Sequence, residues 1–471
     1  MTLPGSARRT CGGSSTAALG AAAAGTLLTL VAFTAPFATL TSTAAGLGAG
    51  AAGRTWILSS MSVGLGAALL STGTVADDVG RRRTFVAGSL LLAAASALAA
   101  VAPEVLGFVV LRVLQGVGGA AVLASSLGLI AAAFPAGPRR ARASGVWGAS
   151  LGAGIAIGPL LSAGLDRLHG WRDVYWLLAV AAVVVAVVAH RGVEESRDEH
   201  GRRLDLPGIV LLAAGMSALL AALVEARHSW ASPAVLGLGV SGVVLLTCFV
   251  TVESRSRHAM LDLALFHQPA FVAATAGALA TGLGVISLTT YLAGFLGPAF
   301  GVSSPAAAVL LLLWSAVSVV TSLLARRIPA RVPGRVQLAA GLLAVAVGQL
   351  LMYGVATDST LLRFAPGLLV AGLATGVVNA ALGREAVASV PPGRAGMGSG
   401  ANNTARYVGS AIGITVVSVV AAGAGADGLV DGWNRAVLLT SSASALGALV
   451  VLASRARPPR LDPVLRHADG S

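Results

Sequence analysis

Charge is scarce in this chain of 471 residues: only 11% of them are Asp, Glu, Lys or Arg, whereas 56% are hydrophobic. Lysine is absent, so all 32 basic residues are arginine. The mean hydropathy is +0.83. A water-soluble protein of this length could not hide so much apolar surface. The composition therefore excludes a soluble globular protein and indicates that lipid surrounds most of the chain.

Cysteine is nearly absent, and catalytic signatures are missing. Cys11 lies in the N-terminal segment and Cys248 in an apolar segment, so we expect no disulfide between them. No His, Cys, Asp and Glu residues have metal-ligand spacing, and no phosphate-binding loop or nucleophile elbow occurs in a suitable context. We therefore expect no enzyme activity, no cofactor and no metal.

The net charge of +13 could indicate nucleic-acid binding. The arginines, however, lie in short loops beside apolar segments. Basic loops that face the cytoplasm and anionic lipid explain this distribution. We therefore expect lipid as a partner and no nucleic acid.

Apolar runs of about 20 residues, long enough to cross a bilayer as helices, recur along the chain. We predict fourteen spans, at about 17–44, 54–76, 84–102, 105–134, 144–165, 174–190, 206–224, 233–252, 269–296, 304–325, 337–356, 364–388, 397–424 and 436–454. With the N-terminus in the cytoplasm, 24 of the 32 arginines fall in cytoplasmic segments. The positive-inside rule then predicts that both termini are cytoplasmic.

A weak internal repeat divides the spans into two halves. Gly80 and Gly158 are 78 positions apart, and Gly334 and Gly413, in similar local sequences, are 79 apart. We predict a six-helix bundle over 1–190, a linker with two inserted helices over 191–268, a second six-helix bundle over 269–454 and a cytoplasmic tail over 455–471. Repeats that face each other across a midplane site are a common basis of alternating access.

A short charged segment joins spans 2 and 3: Gly73-Thr-Val-Ala-Asp77-Asp-Val-Gly80-Arg81-Arg82-Arg83. It resembles the G-x-x-A-D-x-x-G-R-R-R loop of major facilitator transporters. The whole chain resembles the fourteen-helix drug:proton antiporter family of that superfamily. The resemblance implies an all-α polytopic membrane protein with two six-helix bundles and two inserted helices. It also implies that Gly73, Asp77, Gly80 and Arg81 form a gate latch.

Span 4 contains Leu111-Arg112-Val-Leu-Gln115-Gly116. An arginine among apolar residues is costly and needs a partner or a water-filled cavity. The resemblance links this arginine to proton transfer, and Gln115 lies nearly one helical turn further on. We expect Arg112 and Gln115 to act in coupling or substrate binding; a purely structural, hydrogen-bonded arginine is the alternative.

Span 5 contains glycines spaced by four residues and a proline, of which Gly154, Gly158 and Pro159 match the exporter motif G-x-x-x-G-P-x-x-G-G. Glycines at this spacing permit close helix packing, and the proline bends the helix. The closing glycine pair of the motif is replaced here by Ser162-Ala163. We expect an antiporter hinge at this site; generic helix packing is the alternative.

An acid is missing from span 1, where many members of that family carry an aspartate. Candidates for proton coupling are then Glu225, Glu385 and Asp77, although a charged substrate or proton-independent export would also fit. We expect polar residues within the spans to line a mostly apolar central cavity. These cavity candidates are Thr34, Tyr291, Asn379, Asn403 and Tyr407. Arg406 is expected to support packing rather than to contact substrate.

The resemblance implies a monomer in the bacterial cytoplasmic membrane that exports amphipathic drugs or antibiotics in exchange for protons. Two alternatives stay open at this stage. One is a solute importer of the same fold, and the other is a membrane receptor that has lost transport.

Overall fold

The protein is entirely helical over the residues that the computed structural model describes: 11–198, 205–226, 229–256, 263–302, 304–329, 331–422 and 428–454. The predicted tail over 455–471 lies outside these residues. Sixteen α-helices follow one another: α1 Cys11–Thr34, α2 Pro36–Gly46, α3 Ala51–Val79, α4 Arg81–Ala100, α5 Val105–Ala133, α6 Pro138–Leu168, α7 Asp173–Gly192, α8 Leu206–Glu225, α9 Pro233–Arg255, α10 Pro269–Ala280, α11 Ser287–Phe300, α12 Ser304–Leu324, α13 Gly334–Leu350, α14 Ala365–Ala388, α15 Ala395–Ala422 and α16 Leu429–Ala453.

Thirteen helical segments are long and apolar enough to span a membrane, and α13 is a shorter apolar helix at the position of the predicted span 11. Together they account for the fourteen predicted spans. Two spans consist of two helices each: α1 with α2, and α10 with α11. The fourteen-span prediction is therefore confirmed, whereas the domain boundaries given above stay a prediction.

Span 1 is divided into α1 and α2 at Ala35, although Ala35 keeps a helical φ of −50° and ψ of −45°, and its N–H still donates to the carbonyl of Val31 at 2.9 Å. Pro36 begins α2 and has no N–H group, so it cannot donate the helical hydrogen bond to the carbonyl of Ala32. The interruption therefore leaves the carbonyl of Ala32 in need of another donor.

Span 9 contains a π-helical turn, Thr281–Ile286, between α10 and α11. The hydroxyl of Ser287 donates to the carbonyl of Gly282 at 2.9 Å, and the amide of Gln349 donates to the carbonyl of Gly284 at 2.9 Å. Two side chains thus donate hydrogen bonds to carbonyl oxygens of the widened turn. Such turns are frequent at functional sites.

Two groups of helices pack internally and face each other. In the first, α1 packs on α5, α6 and α7, α3 packs on α5, and α4 packs on α5 and α7. In the second, α12 packs on α14, α13 on α14 and α16, and α10 on α15 and α16. Helix α8 packs on α3 and α15, with α9 against it. In an apolar stretch of 18 residues within α9, only 17% is buried within the protein, so lipid covers most of this helix.

The halves meet along two seams, α3 with α15 and α6 with α12. In the first seam, a Cβ atom at Gly73 would collide with the carbonyl oxygen of Gly396, and one at Gly396 would collide with that of Gly73. In the second seam, the hydroxyl of Ser322 donates to the carbonyl of Gly145 at 3.0 Å. Both seams therefore depend on backbones that approach closely because side chains are small or absent.

Candidate functional site

A central cavity of about 130 Å³ lies between the two halves. Helices α1, α2 and α6 line it from the first half, and span 9, α12, α14 and α15 line it from the second. Its walls are mostly apolar, with Phe33, Phe37 and Leu311 among them, and its polar groups include Thr34, Asn379 and Tyr407. Three of the predicted cavity residues thus lie in this lining.

A second cavity of about 180 Å³ adjoins the first and shares Phe33, Phe37 and Thr290 with it. Its other walls include Ser62 of α3, Val224 of α8 and residues of α15. Ser62 precedes Asp77 by fifteen residues on α3, which places the two about 22 Å apart along the helix. The cavities therefore lie away from the Asp77 end of the bundle.

The Asp77 end is closed by what we call the Asp77 cluster: Asp77, Asp78, Arg81, Asp198 and Arg394. The Asp77 carboxylate is fully buried and accepts hydrogen bonds from the guanidinium of Arg81, at 2.9 and 3.0 Å. It also accepts the backbone N–H groups of Gly396 at 3.0 Å and Met397 at 2.8 Å. These N–H groups belong to the first turn of α15, so Asp77 caps a helix of the opposite half.

Three further contacts of the Asp77 cluster cross between the halves or join the linker to them. Arg394 of the second half bonds the carboxylate of Asp78 at 3.0 Å and lies 3.4 Å from that of Asp198. Arg81 donates to the carbonyl of Gly393 at 2.6 Å. One charged group of the second half, Arg394, and one helix end, that of α15, are thus held by carboxylates of the first half and its linker.

The segment after α7, which carries no predicted site residue, folds back on this cluster. The Glu195 carboxylate accepts the N–H groups of Arg82 at 3.0 Å and Arg83 at 3.1 Å, and so caps α4. The N–H group of Asp198 donates to the carbonyl of Asp77 at 2.8 Å. Gly80 has a φ of 137°, which only glycine adopts readily, and a Cβ there would lie 2.7 Å from the Glu195 carboxylate.

Arg112 is fully buried and bonds the broken span 1 rather than an acid. Its Nη1 donates to the carbonyl of Ala32 at 2.7 Å and to Gln115 Oε1 at 2.8 Å, and its Nη2 to the carbonyl of Phe33 at 3.4 Å. Gln115 in turn donates to the hydroxyl of Ser96 at 2.8 Å. Arg112 thus replaces the donor that Pro36 lacks, and neither Arg112 nor Gln115 lines the two cavities.

Gly154 and Gly158 lie directly against α1. A Cβ atom at Gly158 would collide with the Thr34 hydroxyl, and one at Gly154 would lie 2.6 Å from the carbonyl oxygen of Leu27. Pro159 follows within the same helix and lines the central cavity. The exporter motif therefore forms both a tight helix contact and part of the cavity wall.

The candidate acids lie outside the cavity linings. Glu225 ends α8 and accepts a hydrogen bond from the indole of Trp56, next to Val224 in the second cavity. Glu385 lies 3.7 Å from Arg384 and against Gly334, at the Asp77 end. Among the described residues, neither lining contains Asp or Glu.

Two predicted cavity residues lie elsewhere. Tyr291 stacks on Phe295 and Trp433, and Asn403 is buried and donates to the carbonyl of Ser399 at 3.0 Å. Arg406, expected to support packing, is only 5% exposed and also lines the central cavity. Trp314 of α12 lines the same cavity.

The sequence model of the Major Facilitator Superfamily matches residues 17–414 of the chain. The chain belongs to this superfamily. It is 32% identical over 372 residues to the multidrug resistance protein Stp of Mycobacterium tuberculosis, covering 79% of this chain and 69% of Stp. It is also 32% identical over 395 residues to the puromycin resistance protein pur8 of Streptomyces alboniger, covering 82% and 77% of the two chains.

The Major Facilitator Superfamily fold is also found by structural comparison. The crystal structure of the human organic anion transporter MFSD10 superposes with a TM-score of 0.67 at 18% sequence identity, covering 93% of this chain and 99% of MFSD10. At this identity the likeness establishes the fold alone. Because the family model and the resistance proteins place it in this superfamily, the chain is a multi-pass membrane transporter and not an enzyme.

Proposed function

We propose that this transporter exports drug-like or antibiotic small molecules from the bacterial cytoplasm, in exchange for protons, by alternating access. The observation that carries this proposal is a mostly apolar cavity lined by both halves and closed at one end by the Asp77 cluster. The similarity to the resistance proteins Stp and pur8 supports export of such compounds.

The structure corresponds to a state closed on the cytoplasmic side in this proposal. The cluster of arginines at the Asp77 end would face the cytoplasm by the positive-inside rule, with both termini on that side. The α3–α15 seam and the Asp77 cluster together form the inner gate. Opening it would break the cap on α15, and the halves would then rock about the central cavity.

Gly154, Gly158 and Pro159 serve as the hinge in this mechanism. The glycines let α6 slide on α1 without side chains that interlock, and Pro159 bends the helix beside the cavity. Arg112 holds the broken end of α1 against α5, so it positions the cavity wall rather than contacting substrate.

Protons would be carried by an acid outside the central cavity. Glu225 is the best placed, because its neighbour Val224 lines the second cavity. Its carboxylate is bonded to Trp56, whose indole can hold either protonation state by donating to an oxygen. The transporter would act as a monomer, surrounded by lipid.

Everted membrane vesicles from an efflux-deficient host test the export itself with two separate probes: puromycin, which carries an amine, and 4-(1-pyrenyl)butyrate, which carries a carboxylate. Because the cytoplasmic face points outward in these vesicles, an exporter accumulates at least one of the two probes inside them when they are energised. Nigericin, which dissipates the pH gradient, should abolish the uptake, and Glu225→Gln should do the same. An importer would accumulate neither probe, and a receptor would bind a probe without moving it.

A pair of matched variants tests whether uptake requires the central cavity. Ala156→Trp places a large side chain in the central cavity and should abolish accumulation. Ala214→Trp makes the same change on an exposed face of α8 and should leave it intact. Equal transport by both variants would mean that transport does not depend on the central cavity, which would contradict the proposal.

A further inference from the structure

Arg406 is a buried cation for which the described residues supply no ion-pair partner. It lies near the middle of α15, is 5% exposed, and its Nε and Nη2 atoms make no hydrogen bond to the described residues. No carboxylate among those residues forms an ion pair with it. Arg112 differs, because both of its Nη atoms donate to backbone carbonyls or Gln115, and only its Nε makes no hydrogen bond to the described residues.

A second donor without a partner among the described residues belongs to the same lining. The indole Nε1 of Trp314 is buried and makes no hydrogen bond to those residues, and both Trp314 and Arg406 line the central cavity. A guanidinium and an indole N–H have only donors to offer. The described lining contains no Asp or Glu that could supply the missing acceptor.

An uncompensated cation within a membrane span is costly to maintain. A ligand that brings a negative charge restores the missing charge-assisted hydrogen bonds, which are among the strongest that proteins form. A cationic ligand would instead meet repulsion from Arg406 in a medium that screens charge poorly.

We propose that the central cavity selects amphipathic anions, with the acidic group of the substrate bound by Arg406 and a second acceptor by Trp314 Nε1. Apolar side chains such as Phe33, Phe37 and Leu311 then enclose the aromatic or aliphatic body. This inference rests on the proposed export function and names its substrate class: lipophilic organic acids.

Three pyrene probes that differ in one group test the selection: 4-(1-pyrenyl)butyrate, the neutral 4-(1-pyrenyl)butanol and the cationic 4-(1-pyrenyl)butylammonium. Binding is measured by energy transfer from tryptophan in purified, detergent-solubilised protein. We expect the butyrate to bind at least tenfold more tightly than the butanol, and the butylammonium most weakly. Equal binding of all three, or tightest binding of the cation, overturns the proposal.

Substitutions of Arg406 test whether this residue causes the preference for the anionic probe. Arg406→Gln should weaken butyrate binding about tenfold or more and change butanol binding less than twofold, whereas Arg406→Lys should restore part of the loss. Arg167→Gln removes a positive charge from an exposed site and serves as the matched control. Equal losses for butyrate and butanol in Arg406→Gln would mean that Arg406 only supports the fold. If that variant does not fold, the ranking of the three probes on the unmodified protein decides.

The outcomes separate this inference from export itself. If the protein binds pyrenebutyrate selectively but moves neither puromycin nor pyrenebutyrate in vesicles, the anion site is supported and export is rejected. Transport of puromycin that is unaffected by Arg406→Gln, together with no preference for butyrate, leaves export intact and rejects the anion site.

Discussion

Removing the charge of Asp77 should open the inner gate. Asp77→Asn keeps the size of the side chain but weakens two charge-assisted hydrogen bonds to the first turn of α15, those from Gly396 and Met397. At about 1.5 kcal/mol for each bond, the closed state loses about 3 kcal/mol relative to the open state. The ratio of open to closed molecules should therefore rise roughly a hundredfold.

Pulsed electron paramagnetic resonance measures this shift directly. Spin labels at positions 139 and 331, both exposed at the Asp77 end and on opposite halves, report the separation of the halves there. Cys11 and Cys248 are first replaced by serine so that the labels attach only where intended. In the parent protein we expect one short-distance population, and in Asp77→Asn a second, longer population should dominate.

Glu104→Gln is the matched control, because Glu104 is exposed, lies at the opposite end of the bundle and makes no described side-chain hydrogen bond. It should leave the distance distribution unchanged. An Asp77→Asn protein that is folded, as judged by its thermal unfolding, and keeps the short-distance population would refute the gate assignment. The two hydrogen bonds would then contribute to folding alone.

Two further predictions concern span 1. Gly158→Ala should impair export and lower the thermal unfolding temperature, because the new Cβ collides with Thr34. Gly164→Ala is the control: its Cβ would meet open space, so this variant should not lower the unfolding temperature. Equal behaviour of the two variants would contradict the prediction. Arg112→Leu should destabilise the protein by about 3 kcal/mol by leaving a buried carbonyl unpaired. The loss should be smaller in a Pro36→Ala background, where residue 36 regains an N–H, and an unchanged loss would rule out the capping role.

The sequence was sufficient to predict the fourteen spans, because apolar length and arginine placement depend only on the local chain. The resemblance to major facilitator transporters already implied that Asp77 and Arg81 act together, since both lie within one short charged segment. The interruption of span 1 could have been predicted, because a proline, Pro36, lies at that point in the sequence. No comparable residue in the sequence of span 9 indicates its π-helical turn.

The residues that complete the Asp77 cluster could not be found in this way. Asp198 and Arg394 are distant from Asp77 in sequence and join its cluster only because the linker folds back and the two halves face each other. The place of Arg406 in the cavity lining could not be predicted for a related reason. A sequence shows that a buried arginine exists, but only the packing shows whether a neighbouring group satisfies it.

The glycine contacts between α3 and α15 bear on how fast the transporter can cycle. Gly73 and Gly396 bring bare backbones together, so neither residue has a side chain that must change rotamer before these two backbones part. Separation and return at this point therefore require little local rearrangement, and the polar bonds of the Asp77 cluster at the margin add resistance to opening. A turnover rate governed by those bonds alone could be tuned by single substitutions, without any redesign of the surfaces that move.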